Sequence, residues 1–181
     1  LSQGWQPASG TPDFFNCTFR GLIVSTLPHQ GDGYMCFYGG KQAAIDWYYY
    51  SENSKAKLLS PLRKGRKYRV SFYCGLDLYG VKDSFLDFGI YFFSGKLRPD
   101  SAKIGFFYKP QLRVNMKELP IHSYNFYDFC FQADRDCDSI LIGPFANSYS
   151  NLIPNSAMSN YYIMLDDLEI IPNDTFDFKA D

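Results

Sequence analysis

A chain of 181 residues with 46% hydrophobic and 20% charged residues has the length and composition of one globular domain, which excludes a disordered or fibrous chain. Its 18 Lys and Arg against 19 Asp and Glu leave a net charge of −1, so no long-range field favours nucleic acid as a partner. No segment approaches the roughly 18 consecutive apolar residues of a membrane span, and we expect no membrane insertion. Aromatic residues, at 19%, exceed what a core requires and are the first indication of a binding surface.

An alternation of apolar and polar residues recurs along the chain and is typical of strands buried on one face. It predicts strands at residues 17–25, 33–38, 43–51, 57–60, 68–76, 85–93, 124–133, 139–143 and 161–171. No helical period of useful length appears between them. Short strands at this spacing predict an all-β fold, an antiparallel sandwich or barrel.

The segments between the predicted strands set the organisation of the chain. Residues 1–171 are predicted to form a single module, and the acidic residues 172–181 a polar tail or linker. Residues 94–120 and 144–160 are predicted to be long connections, which in a compact domain are often functional. The chain begins at Leu1 without a methionine, so we expect an upstream segment such as a signal peptide to have been removed.

A run of positive charge, "RKGRK" at residues 63–67, stands directly before the strand predicted at 68–76. Gly65 can supply the positive φ that a tight turn needs. The pattern favours a solvated hairpin loop. The alternative is an anion site, which would normally recruit more basic residues than one loop offers.

The five cysteines are spread through the chain and form no C-x-x-C pair, which argues against a zinc or thioredoxin-like motif. Cys36 and Cys74 lie in strand-like patterns and are predicted to be buried thiols. A disulfide between Cys130 and Cys137 that would close a hairpin is an alternative that the sequence leaves undecided. The alternating aspartates of "ADRDCDS" lack the glycine and glutamate of a calcium-binding loop and predict a charged hairpin tip.

Six motifs follow one another in a fixed order: "GWQPASGTPDFFN" (residues 4–16), "LLSPLRKGRKYRVSFYCGL" (58–76), "FGIYFFSGKL" (88–97), "KPQLRVN" (109–115), "SILIGPF" (139–145) and "YYIMLDDLEII" (161–171). This succession resembles the jelly-roll modules of secreted and outer-surface Bacteroidetes proteins. Those modules are similar in turn to galactose-binding-like carbohydrate-binding modules. The chain departs from the shared pattern at Pro144, where an asparagine is usual, and at Tyr124, near a usual tryptophan.

The resemblance implies an antiparallel β-sandwich (jelly roll) in an extracellular or cell-surface protein. It also implies a possible structural calcium at Asp166 or Asp167, because many such modules hold one near their first and last strands. Neighbouring carboxylates on a strand point to opposite faces, so only one of the two would serve as ligand from a given side. The alternative is an aspartate bonded to backbone amides of a neighbouring loop.

Aromatic and polar residues near "IDWYYY" (residues 45–50) are the candidates for glycan binding, because sugar rings pack their C–H faces on aromatic rings while their hydroxyls need polar partners. Asp46, Tyr48 and Tyr50 share one face of this stretch and are expected to join Tyr73, Asp77 and Arg69 of a neighbouring strand in a sugar-sized shelf. Trp5 and Tyr79, in loop-like sequence, would extend this shelf, although Trp5 fits equally well as a plug at the end of the barrel. The alternative is that these tyrosines cover a sheet or a partner domain. The predicted ligand-binding set is Trp47, Tyr48, Tyr50, Asp46, Tyr73, Arg69, Asp77, Trp5 and Tyr79.

Catalytic patterns are not apparent. His29 and His122 are isolated in the sequence, and no nucleophile elbow, metalloprotease helix or phosphate loop is present. The chain is therefore predicted not to be an enzyme. The first hypothesis is a non-catalytic module that binds a glycan or polysaccharide, and the second is a structural or adhesive module whose partner is protein, including other domains of the same polypeptide.

Overall fold

The structure is a computed structural model that describes residues 4–16, 26–42, 48–80, 86–98, 104–146 and 159–173. Within these ranges the chain forms eleven strands, one helix of a single turn, α1 (Ile104–Phe107), and a 3-10 turn at Met116–Glu118. The strands are β1 (Trp5–Ser9), β2 (Asp13–Asn16), β3 (Gly33–Gln42), β4 (Tyr48–Ser51), β5 (Asn53–Leu62), β6 (Lys67–Gly80), β7 (Leu86–Phe93), β8 (Leu112–Val114), β9 (Asn125–Gln132), β10 (Cys137–Ala146) and β11 (Ser159–Pro172).

The strands form two antiparallel sheets, which confirms the predicted all-β sandwich. The five-stranded sheet has the order β1-β5-β10-β7-β8. The six-stranded sheet has the order β2-β3-β11-β6-β9, with β4 added beside β3. Because neighbouring strands in each sheet are mostly distant in sequence, the fold is held by long-range pairing.

Alternating residues of both sheets fill the space between them. On β6, Tyr68, Val70, Phe72, Cys74 and Leu76 are all at most 4% exposed, as the sequence pattern predicted. They meet inward residues of the opposite sheet and form one continuous apolar core. Burial of this kind is the main stabilising contribution to a sandwich.

The basic run at residues 63–67 is a solvent-exposed turn, with Gly65 at a φ of 81°. The prediction of a hairpin is wrong, however, because β5 and β6 lie in different sheets and do not pair. The turn instead carries the chain from one sheet to the other. It is fixed by backbone hydrogen bonds with Ala133 at 2.7 Å and 3.1 Å.

Three strands escaped prediction. β1 begins at Trp5, and β6 continues through Tyr79, so neither residue lies in a loop. β2 follows β1 along the chain, and β8 lies inside the predicted connection 94–120, so β1, β2 and β8 are the three strands that were not predicted. Pro7 is tolerated in β1 because the strand is at the edge of its sheet, where one side needs no ladder hydrogen bond.

Cys36, Cys74 and Cys137 are buried free thiols, and Cys130 is an exposed one. The first two confirm the prediction, and the disulfide considered between Cys130 and Cys137 is absent. The predicted charged tip around residues 134–138 is confirmed. Its three aspartates pair with basic groups, namely Asp134 with Arg135, Asp136 with Arg63 and Asp138 with Lys57.

Several predictions fall on residues outside the described ranges, namely the strand at 17–25, the first part of 43–51, most of 144–160 and the tail after residue 173. β11 extends to Pro172, and the Asn173 N–H donates to the Lys67 carbonyl at 2.9 Å, just beyond the predicted module boundary. None of the helices in the described ranges is long and apolar enough to cross a membrane.

Candidate functional site

The outer face of the six-stranded sheet carries a row of polar and aromatic residues across three strands. The pairing of β6 with β11 sets Asp77 opposite Tyr162, and the pairing of β11 with β3 sets Tyr162 opposite Tyr38. Directly opposed residues in antiparallel strands share a face. These three residues therefore lie side by side on the surface that faces away from the core.

Tyr38 and Tyr162 form a half-buried aromatic pair. Their ring centroids are 5.3 Å apart and their planes are inclined at 58°. Burial raises the pKa of Tyr162 to about 12, with the nearby charge of Glu52 adding to the effect. The two rings pack against each other and present an angled surface rather than a flat platform.

Glu52 holds the backbone at one end of this tyrosine pair. It is 6% exposed, and its Oε2 accepts the Tyr38 N–H at 2.8 Å while Oε1 accepts the Thr11 hydroxyl at 3.3 Å. Burial raises the pKa of Glu52 to about 7. The hydrogen bonds from Tyr38 and Thr11 lower this pKa, and the nearby charge of Asp13 raises it further. Glu52 thus fixes the backbone of Tyr38 and changes its charge near neutral pH.

Asp77 supports the other end of the row. Its side chain is almost fully buried, accepts the Thr26 hydroxyl at 3.2 Å and lies 3.1 Å from His122 Nδ1. The His122 ring is held there because residues 120–122 run along β6: the Leu76 N–H donates to Pro120 and the His122 N–H donates to Leu76. The His122 side chain is itself 54% exposed, so Asp77 orients a ring that faces solvent.

We call Tyr38, Tyr162 and His122, with their supports Glu52 and Asp77, the tyrosine patch. It combines two inclined aromatic rings, two phenol hydroxyls and one oriented imidazole on a single surface. Such a combination of apolar faces with a few fixed polar groups is typical of small-molecule and sugar sites.

Tyr73, next along the same face, is covered. The ring of His29 stacks on it with centroids 3.5 Å apart, and Phe126 packs beside it at 5.1 Å. The segment that carries His29 also covers Tyr34, whose hydroxyl donates to the Thr26 carbonyl at 3.0 Å. This part of the face is therefore closed by the protein's own residues.

Asp166 is held by the same segment. Its Oδ2 accepts the N–H groups of His29 at 2.9 Å and Gln30 at 3.2 Å, and its Oδ1 accepts the Asp167 N–H at 2.9 Å. It shares the face of Met164 but not that of Leu168, because the register shifts between residues 166 and 169 and Asp167 has a φ of 51°. Burial raises the pKa of Asp166, while the amide hydrogen bonds lower it.

The described surroundings of Asp166 are a set of backbone N–H donors, which suit a carboxylate acceptor better than a calcium ion. Calcium takes six to eight oxygen ligands, whereas the Asp166 carboxylate faces three N–H donors, and the Asp167 carboxylate lies 3.1 Å from His29 Nδ1. No group of three or more metal-ligating side chains occurs among the residues that the structure describes. Calcium at Asp166 or Asp167 stays a prediction.

The remaining predicted ligand residues are dispersed. Asp46 and Trp47 lie outside the described ranges. Tyr48 and Tyr50 lie on β4, paired with Gln42 and Gly40, and two strands separate β4 from β6. The expected shelf of β4 and β6 residues on neighbouring strands is therefore not formed.

Three more predicted residues have other surroundings. Arg69 forms a two-pronged ion pair with Asp128, both contacts at 2.9 Å. Trp5 is partly buried and packs against the core between the sheets. Tyr79 lies on β6 opposite Asn160.

Sequence reasoning missed Tyr38, Tyr162 and Glu52, and treated both histidines as isolated. A signal existed for the tyrosines, because each occupies a polar position in a strand that was predicted. Nothing local indicated Glu52 or His122, whose roles depend on contacts between distant segments.

No family model and no curated protein matches the chain. Among solved structures, the cleaved adhesin domain of Lys-gingipain from Porphyromonas gingivalis aligns over 96% of this chain and 93% of its own, with 11% identity and a TM-score of 0.53. The chain shares the fold of this adhesin domain. That likeness confirms, at the level of fold, the resemblance to Bacteroidetes surface modules.

Two weaker matches come from Xyn10C of Paenibacillus barcinonensis. Its CBM22-1–CBM22-2 tandem domain aligns over 95% of this chain and 42% of its own, with 14% identity and a TM-score of 0.49. Its CBM22-2 xylan-binding domain aligns over 95% and 93%, with 13% identity and a TM-score of 0.46. At these TM-scores the two matches say nothing further about this chain.

Proposed function

We propose that the chain is a non-catalytic carbohydrate-binding module of an extracellular or cell-surface bacterial protein, and that its glycan binds on the tyrosine patch. The observation that carries the proposal is the inclined, half-buried pair of Tyr38 and Tyr162 beside the oriented ring of His122. The likeness to an adhesin domain is one of fold, so the ligand is argued from the site alone.

A saccharide fits this surface for a physical reason. One ring face of a pyranose is lined with C–H groups and packs on an aromatic ring, while its hydroxyls require hydrogen-bond partners at the edge. Two rings inclined at 58° present an angled apolar surface on which a sugar unit would pack. The phenol hydroxyls and the imidazole then supply donors and acceptors around it.

The supports make the patch rigid before ligand arrives. The Glu52 carboxylate accepts the backbone N–H of Tyr38 and so holds this part of β3, and Asp77 fixes the direction of the His122 ring. A site that is already ordered loses less side-chain entropy on binding. Glu52 and Asp77 are therefore positioning residues, and Tyr38, Tyr162 and His122 are the contact residues.

The test is a screen of the purified chain on a glycan array and on insoluble polysaccharides, followed by calorimetry with the best ligand. Tyr38→Ala, Tyr162→Ala and His122→Ala should each weaken binding about tenfold. Leu59→Ala is the control, because Leu59 is a fully exposed apolar residue on β5 of the other sheet, outside the tyrosine patch, and this variant should bind as the original does. A folded chain that binds no glycan would overturn the proposal in favour of an adhesive module with a protein partner.

A further inference from the structure

A second groove lies on the outer face of the other sheet. It has a volume of about 650 Å³, within the range of ligand sites, and it runs between β5 and the segment that follows β7. Strand register places Lys57, Ser139 and Phe93 side by side across the groove. It is separated from the tyrosine patch by the whole thickness of the sandwich.

The floor of this groove is fixed and apolar. Phe93 and Ile104 belong to a buried cluster with Leu141 and Phe145, against which Leu97 packs. Through Leu97 and Ile104, this cluster holds residues 94–98 and α1 on the face of the sheet. The groove is therefore a preformed feature of the fold and offers apolar surface at its base.

Its banks carry only positive charge. Lys55 and Lys57 stand at alternate positions of β5, and Lys96 and Arg98 stand on the opposite bank. None of the described residues that line the groove is acidic. Lys57 pairs with Asp138 at 2.7 Å just beyond the lining, whereas Lys55 and Lys96 form no ion pair with any described residue.

Arg98 is anchored at the rim. Its backbone N–H donates to the Tyr108 hydroxyl at 2.8 Å, and its guanidinium lies 5.5 Å from the centre of the Phe107 ring. The face of an aromatic ring attracts such a cation. The rim thus offers one guanidinium beside an aromatic ring and two unpaired ammonium groups.

The conspicuous basic run at residues 63–67 behaves differently. Arg63 pairs with Asp136 at 3.5 Å, the Lys64 N–H donates to Asp136 at 2.7 Å, and Arg66 lies over the Tyr68 ring at 5.9 Å. The basic groove is instead assembled from residues that are far apart in sequence. A chain with net charge −1 therefore carries a local cationic site.

We infer that this groove binds an acidic saccharide, a glycan whose uronate carboxylates pair with Lys55, Lys96 and Arg98 while its C–H faces rest on the apolar floor. The charge complementarity and the floor carry the inference, and only the choice of a saccharide rests on the proposed function. The site would give the module two ligands of different charge on opposite faces.

The test is calorimetric titration of the full chain with a short oligogalacturonide, compared with a neutral xylo-oligosaccharide of equal length. Lys55→Gln and Lys96→Gln should each weaken oligogalacturonide binding roughly three- to tenfold, and binding should weaken as salt is raised. Lys64→Gln and Lys67→Gln, which remove the same charge from the exposed turn, should leave the affinity unchanged.

Three outcomes would overturn the inference: absence of oligogalacturonide binding, equal loss in the turn variants, or displacement by an oligoglutamate peptide at the same concentration, which would make the ligand an acidic peptide. Tyr162→Ala separates this test from that of the proposed function. If Tyr162→Ala leaves the binding of a neutral glycan unchanged, the tyrosine patch is refuted as the glycan site. That result is independent of whether oligogalacturonide binds in the groove.

Discussion

Glu52 makes the stability of the protein depend on pH, and the sign of that dependence follows from its burial. Its ordinary pKa of 4.5 rises to about 7 in the fold, mainly because burial disfavours the charged form. A raised folded-state pKa means that the contribution is fully present below about pH 4.5, is lost as pH rises toward 7, and is absent above it. Since one pKa unit is worth about 1.36 kcal/mol, the loss is about 3 kcal/mol.

The substitution Glu52→Gln should remove this loss, because glutamine keeps an acceptor for the Tyr38 N–H and has no proton to release. We expect Glu52→Gln to match the original chain near pH 4.5 and to exceed its unfolding free energy by about 3 kcal/mol at pH 8. With the slopes usual for urea, that difference moves the unfolding midpoint by roughly 1 to 3 M.

The assay is urea unfolding followed by fluorescence at several pH values between 4.5 and 8. Glu169→Gln, which removes an exposed carboxylate from the same sheet, serves as the charge-matched control and should keep the original pH profile. If Glu52→Gln showed the same pH profile as the unsubstituted chain, the burial of Glu52 and its role beneath Tyr38 would be refuted.

Three further outcomes follow from the structure. Gly75→Ala should destabilise the fold by about 2 kcal/mol in urea unfolding, because a Cβ at Gly75 would collide with the Ser123 carbonyl oxygen, and an unchanged midpoint would contradict that contact. A thiol reagent should label exposed Cys130 in the native protein and buried Cys36 only after unfolding, whereas equal rates in the native protein would contradict the burial of Cys36. Calcium should leave the melting temperature unchanged if backbone amides satisfy Asp166, and a rise that a chelator reverses would show a metal site instead.

The parts of the fold that sequence predicts are the strands whose alternation is strong. On β6, Tyr68, Val70 and Phe72 alternate with polar residues because one face of the strand is buried along most of its length. β1 and β2 lack that signal, since Pro7 and Pro12 interrupt the pattern. They are strands because a partner strand pairs with them, which no local pattern records.

The candidate site was less predictable for the same reason. The three consecutive tyrosines at positions 48–50 predicted a binding site together with residues of β6, but the strand order places β4 away from β6. Tyr38 and Tyr162 meet only because β3 pairs with β11, and Lys55 approaches Lys96 only because the segment after β7 folds back over the sheet. The types of residue that make up such sites can be recognised in the sequence. Which of them lie next to each other depends on strand order and register.

The most direct test of the account is a titration of the isotopically labelled chain with its best neutral glycan, followed by amide chemical-shift changes. The account predicts saturable changes centred on β3 and β11 around Tyr38 and Tyr162 and on the segment that carries His122. Saturable binding with changes confined to another surface would contradict the tyrosine patch as the glycan site.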